Sequence, residues 1–260
     1  MNSENNLDEF LKKQSKRIHL SDRALAKLVR DSYPIGVPAL IMKSSTDRMV
    51  TASNYSFILG TPDELLRSLA SWLITEAENT HRVLLKLIKR LWKRHGREDI
   101  ALAAILLANI DHKGMGTNPW EILKDSIHPV ESIDSLLLNI EELFRAKRRP
   151  PSEELILEWI NGRKIDQHLS LLVTYSGKIH GHDFSEELIE DIVSAYELTK
   201  NNKGFNGIES TLIRELAKKK SDGWDFNIFT ASKENNDGFI VELGFRVTIR
   251  HGNTTTDFLV

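Results

Sequence analysis

The 260-residue chain contains no cysteine. Disulfide bonds, thiolate catalysis and cysteine-ligated metal sites are therefore excluded, and the sequence is compatible with a reducing compartment. It also lacks an apolar run of the roughly 18 residues that a membrane-spanning helix needs. The N-terminal segment MNSENNLDEF is polar and acidic, unlike a signal peptide. We therefore expect a cytoplasmic protein with no membrane partner.

Neither sign of charge is in large excess, because 35 Lys and Arg residues face 37 Asp and Glu residues for a net charge of −2. A nearly neutral chain has no general attraction to nucleic acids or membranes, so any such attraction must come from a local patch. Apolar residues make up 40% of the chain and charged residues 28%, which is typical of a soluble globular protein with a sizeable core.

One local patch stands out in residues 82–97, RVLLKLIKRLWKRHGR, which hold seven cations and no acid. Leu84, Leu87, Ile88 and Leu91 recur at steps of three and four, which predicts an amphipathic helix with its cations on the solvent side. Two interpretations remain open. The helix is either a solvated one whose counter-charges lie on neighbouring helices, or a phosphate-facing element of a nucleic-acid-binding groove.

The rest of residues 1–220 reads as helices joined by short breaks at proline and glycine. Thr61-Pro62-Asp63-Glu64 combines a capping side chain with a first-turn proline and acids, and predicts a helix to about Glu78. Residues 100–110, IALAAILLANI, are apolar all round and predict a buried helix. Further helices are predicted at about 6–31, 118–126, 131–147, 152–161, 165–179, 185–201 and 208–220.

Helix pairs that return every 35 to 45 residues or so predict an all-α fold: a HEAT/armadillo-like α-solenoid of stacked antiparallel helix pairs over residues 1–220. Residues 221–260 have no helical period. Strand-like segments near 226–229, 239–249 and 254–260, separated by turn residues, predict a small antiparallel β meander at the C-terminus.

The stretch His128 to Leu137 carries the most informative carboxylates. Asp134 is predicted one turn into a helix, with Glu131 three residues earlier on the same face. An ordinary capping or salt-bridge role is the alternative for such a residue. Trp120 and Trp159 are candidates for the lining of a groove, but both lie on core-like faces. No cofactor or metal ligand set is expected, since His180 and His182 in a glycine-containing turn are weak evidence for a metal.

The order and spacing of several stretches along the chain can be compared with those of known families. These stretches are Tyr33–Val37, Leu91–Trp92 followed by 100–110, Glu131–Ser135, Glu158–Ile160 with Asp166–Leu169, and 205–218. This layout resembles the HEAT-like DNA alkylation-repair family, the bacterial alkylpurine DNA glycosylases. The resemblance covers about residues 20–220 and implies that Asp134 is the catalytic carboxylate. Such a group stabilises the positive charge that develops on the sugar as a cationic purine departs.

Three positions depart from the family's pattern. Val130 and Thr211 stand where it has aromatic residues that hold the lesion, and His168 stands where it has an arginine that grips the DNA backbone. Either the chain binds DNA without excising bases, or other side chains line its groove.

We therefore expect a DNA-binding protein that recognises or excises alkylated bases in duplex DNA, acting as a monomer. The residues expected to contact DNA are Arg82, Lys86, Lys89, Arg90, Lys93, Arg97, Arg148, Arg163, Lys164 and His168. The alternative is a non-enzymatic HEAT-repeat scaffold that binds a protein or peptide in its concave surface.

Overall fold

The computed structural model describes residues 3–35, 37, 55–78, 80–129, 131–199, 224–234, 240–251 and 254–259. Among the described residues up to Thr199, helices are the only regular secondary structure. The helices are α1 (Ser3–Lys12), a 3-10 helix (Lys16–Leu20), α2 (Asp22–Ser32), α3 (Asp63–Ala77), α4 (His81–Arg94), α5 (Arg97–Asn109), α6 (His112–Met115), α7 (Pro119–Ser126), α8 (Ile133–Arg145), α9 (Glu153–Ile160), α10 (Lys164–Ile179) and α11 (Glu186–Thr199). The predicted helix at 208–220 lies outside the described residues.

The chain divides into two compact units, Met1–Arg149 and Pro150–Val260. The division falls at two consecutive prolines, Pro150 and Pro151, in the loop between α8 and α9. The sequence pattern predicted its boundary at 220/221, within a segment that lies outside the described residues.

The first unit is built around α5, and residues 100–108 of this helix are buried, as predicted for the apolar run 100–110. Every residue from Glu98 to Ala108 is buried, and α5 packs against α3, α4, α7 and α8. Its alanines allow the close approach of neighbouring helices on several sides. The basic helix α4 packs against α2, α3 and α5, which leaves one of its sides to solvent.

Local capping follows the sequence at several helix starts. Ser21 accepts a hydrogen bond from the backbone N–H of Ala24, and Asn118 accepts one from Trp120 ahead of Pro119 at the first helical position. The predicted cap at Thr61 is wrong. Its hydroxyl instead donates to the Tyr33 carbonyl at 3.1 Å, and α3 begins after Pro62 without a side-chain cap.

In the second unit α10 packs against α9 and α11. Ser185 begins α11 by accepting from Leu188, and its own N–H and hydroxyl donate to Glu153 at 2.7 and 2.6 Å. The same unit holds three strands, β1 (Trp224–Glu234), β2 (Ile240–His251) and β3 (Thr254–Leu259), paired antiparallel in that order.

Both tryptophans predicted as core are buried. Trp120 is 3% exposed and donates its indole N–H to the Arg149 carbonyl at 2.7 Å, whereas Trp159 is 1% exposed. Neither is therefore available as a groove lining within its own unit. None of the described helices combines the length and apolar character needed to cross a membrane.

Candidate functional site: the cationic side of α4 and the carboxylates at its end

Four cations of α4 share one exposed side of the helix. They follow one another at steps of four, three and four residues, and we call them the α4 row: Arg82, Lys86, Lys89 and Lys93. Steps of three and four keep side chains on one side of an α-helix, so the row extends about 16 Å at 1.5 Å per residue. In the part of the chain that the structure describes, no carboxylate lies within ion-pair distance of these four.

Two other cations of α4 turn towards neighbouring helices. Arg90 donates to Asp22 of α2 at 2.8 Å, and this hydrogen bond, aided by the nearby Lys86, lowers the pKa of Asp22. Arg94 forms a two-point ion pair with Asp99 and donates to the Ala26 carbonyl at 3.1 Å. These guanidinium groups hold α2, α4 and α5 together, so the prediction that Arg90 belongs to a freely exposed phosphate-binding stripe is revised.

Asp99 and its partners form a polar contact inside the first unit. Asp99 is 0% exposed and accepts a 2.8 Å hydrogen bond from the Tyr33 hydroxyl. Burial and the neighbouring Asp99 charge raise the pKa of Tyr33 well above its usual value. Arg94 also lies 5.9 Å from the ring centroids of Tyr33 and Phe57. A carboxylate so fully paired is not available to a ligand, and loss of one partner would leave a buried charge uncompensated.

The turn between α4 and α5 is closely packed. His95 ends α4 in the left-handed conformation with φ of 59°, and Gly96 follows it. A Cβ atom on Gly96 would lie 2.0 Å from Cζ of Phe57, so any larger residue requires the Phe57 ring to move. The loop segment at Ser56 and Phe57 is bound to this turn by two backbone hydrogen bonds. The N–H of Ser56 donates to the His95 carbonyl at 2.8 Å, and the N–H of Arg97 donates to the Phe57 carbonyl at 3.0 Å.

Glu98 fixes the same loop one step further on. Its buried Oε1 atom accepts the backbone N–H groups of Leu59 and Gly60 at 2.9 and 2.8 Å. The loop therefore packs against the start of α5, and Tyr55 lies at the end of α4, next to the His95 ring.

At that end, His95 meets Glu131, the carboxylate that precedes α8. Its Nε2 atom lies 3.0 and 3.1 Å from the two carboxylate oxygens, and the Glu131 side chain is fully buried. Ser135 also donates its hydroxyl to Glu131 at 2.5 Å. Burial alone raises the pKa of Glu131, but the hydrogen bonds from His95 and Ser135 outweigh it, and the pKa is lowered overall.

The predicted position of Glu131 is wrong. The expected helix from 131 begins only at Ile133, with Ser132 as its cap accepting from the N–H of Ser135. Glu131 consequently lies before the helix and turns inward, and it does not share a helical face with Asp134. The helix begins after Ser132 because the serine hydroxyl accepts a hydrogen bond from a backbone N–H of the first turn that would otherwise have no acceptor within the helix.

Asp134 occupies the first turn of α8 and is half-buried. Burial raises its pKa, and the positive charge of Arg97 opposes that rise. Tyr55 interacts with the same region, because its hydroxyl forms a hydrogen bond with Ser132 and the charges of Asp134 and Arg97 act on it. Burial is the main cause that raises the pKa of Tyr55 to about 12. Asp134 is thus the carboxylate of this region that retains solvent access and keeps acceptor capacity.

Two histidine rings meet at the end of α4. His128 is exposed and its ring centroid lies 4.9 Å from that of the buried His95, which in turn lies 5.8 Å from the Tyr55 ring. Neither histidine was singled out as functional in the sequence, because the contact between them joins the end of α4 to the segment before α8. No group of three potential metal ligands occurs among the described side chains.

The remaining predicted DNA contacts lie elsewhere. Arg148 donates to the carbonyls of Ala108 and Ile110 at 2.8 and 3.0 Å, so it caps the C-terminal end of α5. In the second unit Arg163 forms a two-point pair with the buried Asp166, at 2.8 and 2.9 Å. Lys164 is exposed at the start of α10 and His168 is half-buried on it. Val130 and Thr211 lie outside the described residues.

No protein-family model, curated protein or solved structure matches this chain. Function is therefore inferred from the charges, exposure and positions of the α4 row and of Asp134.

Proposed function

We propose that this protein binds duplex DNA, and that the α4 row is the element that contacts its backbone. The observation that carries the proposal is the division of α4's cations: Arg90 and Arg94 are taken up by Asp22 and Asp99, whereas four others remain exposed on one side. Phosphates of one DNA strand follow each other at about 3.4 Å along the helix axis, so a row of about 16 Å spans roughly five of them.

We further propose that the helices of the first unit stack as HEAT-like pairs and that the chain is a divergent relative of the alkylpurine DNA glycosylases. Supporting this, α5 packs against helices that both precede and follow it in sequence. In stacked repeats each pair buries its apolar side against its neighbours, which is the pattern around α5. The layout resemblance over residues 20–220 points the same way.

The test of DNA binding is a salt titration of duplex affinity by fluorescence anisotropy. The four cations of the α4 row contribute about −3.6 to the slope of log affinity against log salt, since each neutralised phosphate contributes about −0.9. The variant K86Q/K89Q/K93Q should reduce that slope by about 2.7. A matched control, K113Q/K147Q/R149Q, removes three exposed cations from other elements of the first unit and should change the slope far less.

Base excision is a second proposal, favoured by the position of Asp134. It is a half-buried carboxylate beside Arg97, just beyond the end of the α4 row, where it can face a positive charge that develops on the sugar. Incubation with methylated duplex should release 7-methylguanine or 3-methyladenine, and D134N should abolish the release. Absence of release from the wild-type protein would leave a DNA-binding module.

A protein-binding scaffold remains the rival function. It is favoured by the ion pairs Arg90–Asp22 and Arg94–Asp99, which show that part of the basic helix serves the fold. A scaffold predicts no DNA affinity above that of the K86Q/K89Q/K93Q variant, and a flat dependence on salt.

A further inference from the structure

The helix α2 carries a second row of exposed cations that the sequence pattern of α4 does not reveal. Arg23, Lys27 and Arg30 follow one another at steps of four and three, and all three are exposed. We call them the α2 row, which extends about 10 Å along its helix. Arg30 lies 4.0 Å from Asp31, a loose contact between two exposed groups that leaves most of its charge available.

The two helices run side by side in the same direction. Arg90 reaches Asp22, and Arg94, four residues later, reaches Ala26, which is likewise four residues later. Contacts that advance together along both chains require parallel axes. Packed helices have axes about 8–10 Å apart, so the α2 row and the α4 row are separated by roughly that distance.

The angular positions place both rows on the same side of the helix pair. Successive residues of a helix are rotated by about 100° about its axis. In α2, the α2 row is therefore rotated by about 90° from the side that carries Asp22 and Ala26 and contacts α4. In α4, the α4 row is rotated by about 90° from the side that carries Arg90 and Arg94 and contacts α2, and, viewed along the parallel axes, this rotation has the opposite sense. Because the contact lines face each other, opposite rotations turn both rows to one surface. The buried leucines of both helices lie on the other side.

We propose that the α2 row and the α4 row form one surface of seven cations that holds the two backbones on either side of a groove in duplex DNA. The inference rests on the proposed duplex binding and adds a second set of contacts, the α2 row, with one row of cations for each DNA backbone. The spacing of the rows is comparable to the groove widths of B-DNA, about 6 Å for the minor groove and 12 Å for the major groove. A single strand offers one line of phosphates and engages one row.

The experiment compares duplex and single-stranded DNA of equal length at 50 to 200 mM salt. Seven contacts give a duplex slope of about −6.3, so affinity should fall about 10⁴-fold over this range. The variant R23Q/K27Q/R30Q should reduce the slope by about 2.7 and the fall to about 10²-fold. Its single-strand affinity should change much less than its duplex affinity. Glutamine keeps a helix propensity close to that of the residues replaced, and an unchanged melting temperature checks the fold.

The outcomes separate the two proposals. If the wild-type protein binds duplex, K86Q/K89Q/K93Q weakens it and R23Q/K27Q/R30Q behaves like the control K113Q/K147Q/R149Q, the α2 row takes no part and this inference is overturned alone. Equal losses for duplex and single strand in the α2 variant overturn the two-backbone arrangement. No duplex binding by the wild-type protein overturns the proposed function, and this inference with it.

Discussion

The Nε2 atom of His95 lies 3.0 Å from Oε2 of Glu131, and this contact joins the end of the basic helix α4 to the segment that begins α8. The Glu131 side chain is fully buried and that of His95 is 9% exposed. The pair fixes the start of α8, and with it the position of Asp134 three residues further on. Several consequences of this arrangement are open to measurement.

Removing Glu131 should destabilise the protein strongly. The substitution E131A deletes the acceptor of a buried histidine and of the Ser135 hydroxyl, and each buried donor left without its acceptor costs about 1–3 kcal/mol. The free energy of unfolding from urea titration checks this. As the matched control, D63A removes the exposed partner of Arg67 and should cost less than about 1 kcal/mol. Equal losses for both variants would contradict the role assigned to Glu131.

Some helix starts with a capping serine or asparagine could be read from the sequence, since the cap acts within three residues. Ser21, Asn118 and Ser152 each accept a backbone hydrogen bond at such a start, whereas the cap at Ser132 was missed. The partners of the basic helix could not be read this way. Arg90 and Asp22 are 68 residues apart, so which cations are neutralised depends on helix packing and not on local spacing. The α2 row was missed because three cations separated by apolar residues look like any solvated helix side.

The tight turn at Gly96 gives a second prediction. An alanine Cβ would collide with the Phe57 ring, and such overpacking costs about 1–3 kcal/mol. We therefore expect G96A to lower the free energy of unfolding by that amount. Replacing the ring should relieve the clash, so in a double-mutant cycle G96A/F57L should be less damaging than the sum of G96A and F57L. Strict additivity would mean that the ring and the turn do not contact each other.

Mild acid should destabilise the protein through His19. This residue is 4% exposed, its ring centroid lies 4.8 Å from that of Trp72, and burial lowers its pKa despite the charge of Glu76. In the unfolded chain it binds a proton near its ordinary value of 6.5, so below that pH the unfolded state holds more protons. The stability is therefore present above pH 6.5 and lost as the pH falls towards the folded-state pKa.

The substitution H19F tests this dependence, because phenylalanine keeps the ring and cannot be protonated. The urea midpoint of H19F should fall less between pH 7 and pH 5 than that of the wild-type protein. His112 contributes in the same direction, since burial lowers its pKa too, so part of the slope should survive in H19F. An identical slope in both proteins would show that folding does not change the proton binding of His19 between pH 7 and pH 5.

The two carboxylates at the start of α8 should respond to neutralisation with opposite signs. The lowered pKa of Glu131 means that its ionised form stabilises the fold above its ordinary value of 4.5, and that this stability is lost as the pH falls further. The raised pKa of Asp134 means that ionisation costs stability, and the cost appears as the pH rises above 3.8.

At pH 7, D134N should therefore raise the free energy of unfolding, within the gain of about 0.5–2 kcal/mol typical of a single stabilising change. E131Q should lower it. The gain in D134N should vanish below pH 3.8, where the aspartic acid is neutral in folded and unfolded chains alike. A carboxylate whose removal stabilises the fold is one that folding does not require, which is expected of a residue kept for DNA chemistry. Destabilisation by D134N across the whole pH range would instead make Asp134 a structural partner of Arg97.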